Sequence, residues 1–142
     1  MLAIANSKNG DFDHDLYRDF TYVDDIVEGI ERLLNNPPSE AIKAITNDKD
    51  SKAAPHRVFN IGNNSPEKLM TFITTLEKCL SKTLAREVVF EKTFEPLKAG
   101  DVPATYASTD KLQEAVGFKP STSIAEGVQN FANWYVGYYG VK

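Results

Sequence analysis

The chain has 142 residues, of which 42% are hydrophobic and 25% charged, and its formal net charge is -4. That balance describes a folded domain of ordinary size. It argues against a nucleic-acid backbone as partner, and no apolar run approaches the roughly 18 residues of a membrane span.

The single cysteine, Cys79, permits no internal disulfide and no cysteine-based zinc site. The opening Met1-Leu2-Ala3-Ile4-Ala5 is short for a signal peptide and lacks a basic start. A cytoplasmic protein is expected. Turn-forming residues fill Asn6 to Asp11. The run Asp11-Phe12-Asp13-His14-Asp15 is rich in metal-ligand types. A calcium loop counted from Asp11 would need glycine and glutamate where Leu16 and Tyr22 stand. The run is read as a solvated loop, and no metal is assigned.

Arg18-Asp19-Phe20-Thr21-Tyr22-Val23-Asp24-Asp25 is the stretch around which the chain is organised. Phe20 to Val23 are strand formers. Asp24 and Asp25 open a helix, where acids favour the partly positive N-terminus and Asp24 can cap free N–H groups. Arg18 is thereby delivered to a fixed place. A guanidinium is planar, always charged, and grips phosphate oxygens two at a time, so Arg18 is a candidate anion clamp. Its plainer reading is a surface or ion-pair arginine.

From Asp24 to Asn35 the apolar residues Ile26, Val27, Ile30, Leu33 and Leu34 form one stripe, predicting a core-packing helix. Glu28 and Arg32 make an i,i+4 pair, and Pro37-Pro38 ends the helix. A mobile surface loop is expected at about 36–56, with His56 a loop residue. Arg57 to Gly62 reads as a short strand. Ser65 as N-cap before Pro66 starts a second helix, running to about Leu80 with Leu69, Met70, Phe72, Ile73, Leu76, Cys79 and Leu80 inward. Arg86 to Thr93 reads as a strand around Val88, Val89 and Phe90. Proline and glycine then make Glu95 to Tyr106 a bent loop. Ser108 is expected to cap a short helix ending at Gly117. Ser123 and Glu126 form a capping box for a last helix with Ile124, Val128, Phe131, Tyr135 and Tyr138 inward, broadened by Trp134 and Tyr139.

The Arg18–Asp25 stretch closely resembles the Arg-Asp-Phe-x-Tyr-Val-x-Asp segment of NAD-dependent sugar-nucleotide epimerases and dehydratases, the extended short-chain dehydrogenase/reductases. Val58-Phe59-Asn60-Ile61-Gly62-Asn63-Asn64-Ser65-Pro66 and Gly100-Asp101-Val102-Pro103-Ala104-Thr105-Tyr106 carry the same likeness, nearest to UDP-glucuronate 4-epimerases. The resemblance runs from about Asp15 to the C-terminus. It implies that Arg18 contacts the diphosphate of a UDP-sugar. It also implies that Asp101, in a loop closing over the nucleotide, meets the ribose or orients a basic neighbour. Lys98 stands where many members have Arg or Gln, and Ala99 where proline is usual.

The implied fold is α/β: the C-terminal, substrate-binding portion of an extended Rossmann-type epimerase, helix-rich with a few short strands. Residues 1–142 form one nucleotide-sugar-binding domain in this reading. The glycine-rich dinucleotide turn is not found, the eight glycines being scattered. The family's catalytic pair, a tyrosine four residues before a lysine, is likewise expected to be lacking. NAD belongs to the intact family enzyme, and none is expected to bind this chain alone. The expected partners are a UDP-sugar and a Rossmann half or partner chain supplied from outside these residues. The chain is then a truncated product, a split subunit or a piece of a longer frame, inactive alone, with apolar surface exposed. A non-catalytic interaction module, and the matching part of a dehydratase or reductase, are the alternatives.

Overall fold

The structure, a computed structural model, describes residues 2–6, 16–37, 57–96 and 99–142. The acidic run at 11–15, the loop at 38–56 with His56, and Lys98 lie outside the described residues. The elements are β1 (Leu2–Asn6), β2 (Tyr17–Arg18), α1 (Val23–Leu34), β3 (Glu67–Lys68), α2 (Leu69–Leu84), β4 (Lys92–Pro96), α3 (Asp110–Val116) and α4 (Ile124–Tyr139). They fall into two compact units: residues 1–18, 66–105 and 123–142, and residues 19–65 and 106–122.

In the first unit, α2 packs on α4. The core between them is Cys79, Leu80, Val128 and Ala132, with Phe72, Leu76, Val88, Phe90, Ile124 and Val136 closing around it. The inward face expected for α2 is the face it buries. The helix starts later than Ser65, however. Residues Glu67–Lys68 pair antiparallel with Tyr17–Arg18, so the backbone stays extended until Lys68, which takes the N-cap position. At the other end Ala85 adopts a left-handed φ of 50°.

The strand expected at 86–93 forms instead at Lys92–Pro96, in parallel register with Leu2–Asn6. The cause is local. The Val88 N–H donates to Ser81 Oγ at 2.9 Å and the Phe90 N–H to Glu77 Oε1 at 2.8 Å, so side chains of α2 take the amides a ladder would need. Glu77 also accepts from Lys92 Nζ. That ammonium first, and the Phe90 N–H second, hold the Glu77 carboxyl below its ordinary range.

On α4, Ser123 Oγ accepts from the Glu126 N–H at 3.2 Å, the expected cap. The buried stripe differs from expectation. Val128 and Ala132 are buried with Ile124 and Val136 beside them, whereas Phe131, Trp134, Tyr135, Tyr138 and Tyr139 are exposed. Ala132 lets the two helices approach, and the rings stack along the outer side of α4 on one another, Trp134 on Tyr138 at 5.3 Å.

The second unit is held by two carboxylates. Asp25 accepts from the N–H groups of Ser121 (3.1 Å) and Thr122 (2.9 Å) and from Thr122 Oγ1 (2.9 Å). Asp19 accepts from the N–H groups of Asn64 (3.1 Å), Ser65 (3.3 Å) and Ala107 (3.3 Å). Helix α1 begins at Val23 after an N-cap Tyr22 that makes no side-chain cap, so Asp24 does not cap it. Its buried residues are Asp25 and Gly29. A Cβ on Gly29 would stand 3.4 Å from Ile61 and 3.5 Å from Phe118. The stripe read as core is therefore split: Ile26 and Leu33 are half-buried, while Val27, Ile30 and Leu34 face outward, Leu34 at 77% exposure. Glu28 and Arg32 do pair, at 2.6 Å.

Residues 57–62 join no sheet among the described residues. Asn60 Nδ2 instead donates to the Ser108 carbonyl at 3.3 Å. Thr109 takes the N-cap position of helix α3 without a side-chain cap, while the Ser108 hydroxyl donates to the Asp110 carboxylate at 2.8 Å and accepts from the Asp110 N–H at 3.4 Å. It ends at Gly117 as expected, φ 63°. Among the described residues no helix is long and apolar enough to cross a membrane.

Candidate nucleotide-anion site

Tyr17–Arg18 is the centre of the site, and two backbone segments hold it. On one side Tyr17 pairs with Lys68 and Arg18 with Glu67, and the Leu69 N–H donates to the Leu16 carbonyl at 2.8 Å. On the other side Tyr17 bridges Ala104 in parallel. Its N–H donates to the Pro103 carbonyl at 2.9 Å, and its carbonyl accepts from the Thr105 N–H at 3.2 Å. A two-residue strand is thus fixed from both edges although neither strand propensity nor length would hold it.

The Arg18 side chain is fixed in turn. Nη1 donates to the Tyr17 carbonyl at 2.8 Å and to the Pro103 carbonyl at 3.3 Å. Both acceptors are neutral, so the guanidinium keeps its full charge. Among the described residues no carboxylate makes an ion pair with it, and Nε and Nη2 make no hydrogen bond. Those two nitrogens form one edge of the planar group, the edge that meets two oxygens of a phosphate at once. Arg18 is half-buried.

Pro103 belongs to the Gly100-Asp101-Val102-Pro103 turn, so the structure brings Arg18 against the segment that carries Asp101. Gly100 has φ 98°, a backbone that favours glycine. Asp101 is exposed in that turn. Lys98, the third residue expected here, is outside the described residues. The sequence offered no sign that the Pro103 carbonyl would be the anchor, because a backbone acceptor leaves no mark on residue type. Glu67, opposite Arg18 in register, was also not anticipated, since residues 65–68 read as a helix start.

One spacing corrects an expectation. Tyr138 and Lys142 stand four residues apart, the interval of the catalytic pair expected to be lacking. The helix ends at Tyr139, and Gly140 takes a left-handed φ of 60°. The two residues therefore do not share a helical face, and both are exposed at the end of the chain.

A profile of the GDP-mannose 4,6 dehydratase family matches residues 2–131. The chain is 44% identical over 141 residues to Protein CapI of Staphylococcus aureus, covering 96% of this chain and 40% of that one. It is 45% identical over 121 residues to a probable UDP-glucuronate 4-epimerase of Rhizobium meliloti, covering 83% and 34%. The crystal structure of UDP-glucuronic acid 4-epimerase from Bacillus cereus, in complex with UDP-glucuronic acid and NAD, superposes with a TM-score of 0.66 at 23% identity. It covers 97% of this chain and 36% of that one. The chain thus spans well under half the length of these relatives. By profile and sequence identity it belongs to the GDP-mannose 4,6-dehydratase family of NAD-dependent epimerases and dehydratases, to whose C-terminal part it corresponds.

Proposed function

We propose that this chain is the UDP-sugar-binding part of an NAD-dependent UDP-glucuronate 4-epimerase, with Arg18 as the diphosphate clamp. Asp101 faces the ribose or orients a basic neighbour, and Lys98 adds a point charge. The observation that carries the reading is the Arg18 guanidinium itself. It is anchored by two neutral carbonyls through Nη1, with its Nε–Nη2 edge uncommitted among the described residues. The names of the relatives, UDP-glucuronate 4-epimerases among them, supply the nucleotide-sugar.

The described glycines do not fit a dinucleotide cradle. Gly29 lies within α1 and Gly127 and Gly137 within α4, a Cβ on Gly62 would meet Asp19 and Ala107, Gly117 and Gly140 end helices, and Gly100 sits in the turn before Pro103. A cradle needs glycines that open a strand-to-helix turn toward the pyrophosphate. Epimerisation at the sugar therefore falls to the larger remainder of the family's length, which is also the partner that the exposed Val27, Ile30 and Leu34 face of α1 would suit.

The test is incubation of this chain with UDP-glucuronate and NAD. Binding of UDP-glucuronate without NAD binding and without a 4-epimer product is expected. Turnover by this chain alone overturns the division of labour.

A further inference from the structure

Glu67 stands directly across the β2–β3 pair from Arg18. Register partners in an antiparallel pair send their side chains to the same face, with Cβ atoms about 5 Å apart. The neighbouring pair shows this directly, since Lys68 Nζ lies 5.8 Å from the centre of the Tyr17 ring. Side chains alternate along each strand, so the Arg18–Glu67 face is the opposite one.

The guanidinium is not spent on this carboxylate. Its Nη1 is turned to the Tyr17 and Pro103 carbonyls, and no Arg18–Glu67 ion pair forms among the described residues. The strand pair thus carries a carboxylate on the same face as the guanidinium, with Arg18 and Glu67 both half-buried. Such a carboxylate repels extra charge placed on the phosphate that the guanidinium grips, and it accepts hydrogen bonds from hydroxyls.

We propose that Glu67 is a specificity-determining residue of the Arg18 site, favouring an esterified nucleoside diphosphate, as in a nucleotide-sugar, over the free nucleoside diphosphate. The inference rests on the reading of Arg18 as an anion clamp. The chemical difference is charge. A free terminal phosphate has a second pKa near 6 and carries about one more negative charge at neutral pH than its ester. Glu67 penalises that extra charge, so the ester is disfavoured less than the free diphosphate.

The experiment is calorimetric titration of UDP and of UDP-glucose into the chain and into Glu67→Gln, at low salt and at high salt. At low salt, removing the charge is expected to tighten UDP about threefold to tenfold, and UDP-glucose by clearly less. High salt should erase the difference, and Glu67→Asp should keep the original ratio. Glu67→Thr, a neutral strand former, gives the same readout should the amide variant melt early. An equal change for both ligands, no change, or weaker UDP binding overturns the role of Glu67 while leaving the Arg18 reading standing. If the unaltered chain binds neither ligand, the Arg18 reading falls and takes this inference with it.

Discussion

The Pro103 carbonyl oxygen accepts Arg18 Nη1 at 3.3 Å while it also accepts the Tyr17 N–H at 2.9 Å. One backbone oxygen thus fixes both the strand and the charged end of the side chain it carries. A lysine in place of Arg18 would keep the charge but lose the planar fork that spans a carbonyl on one edge and a phosphate on the other. Arg18→Lys should weaken UDP binding about tenfold, with an unchanged thermal melt. Equal affinity for UDP would show that the fork is not used.

Asp19 satisfies the N–H groups of Asn64, Ser65 and Ala107, and Asn64 sits at φ 52°. Removing a charged acceptor from part-buried amides costs about 1–3 kcal/mol. Asp19→Ala should lower the urea midpoint accordingly and speed hydrogen exchange at those three amides. Unchanged exchange at Asn64 and Ala107 would mean that the carboxylate does not hold them. In the same place, a Cβ on Gly62 would meet Asp19 Oδ2 at 2.8 Å and the Ala107 Cβ at 3.2 Å. Gly62→Ala should destabilise by about 1–3 kcal/mol through overpacking.

Glu77 links stability to pH. Its folded-state pKa lies below the ordinary 4.5 because Lys92 and the Phe90 N–H favour the charged form. The contribution is full above that ordinary value and is lost as the pH falls through the lowered one. Unfolding midpoints should therefore decline on the acid side, and Glu77→Gln should flatten that limb while costing about 1 kcal/mol at neutral pH. Parallel acid limbs for the two proteins would remove Glu77 from the account.

Leu112 and Leu34 separate buried from exposed apolar surface within the second unit. Leu112 is fully buried, at 0% exposure, and Leu34 is 77% exposed. Leu112→Ala should cost about 2–5 kcal/mol, and Leu34→Ala less than about 0.5 kcal/mol. Comparable losses in chemical denaturation would contradict the orientation of α1.

What was legible in the sequence was local. The helix under Leu69–Leu80, its inward face, the Ser123 cap, the Gly117 stop and the Glu28–Arg32 pair all follow from spacing and residue type. The errors arose where a distant group decided the outcome. Lys68 opens α2 because β3 pairs with β2, which lies about 50 residues earlier. Residues 87–91 form no strand because Ser81 and Glu77 take the amides. Aromatic residues at helical spacing on α4 predict a core face, yet Ala132 lies at the contact. At the site, the Arg18 stretch was readable from its motif, whereas the Pro103 carbonyl and Glu67 came into view only with the pairing of β2 on both edges.

The central claim is that one anchored guanidinium holds a pyrophosphate, and titration of UDP into the chain and into Arg18→Ala tests it most directly. The account predicts measurable UDP binding by the unaltered chain and a loss of at least about tenfold in the variant, with both proteins equally folded by circular dichroism. Equal UDP affinity in the two proteins would contradict it.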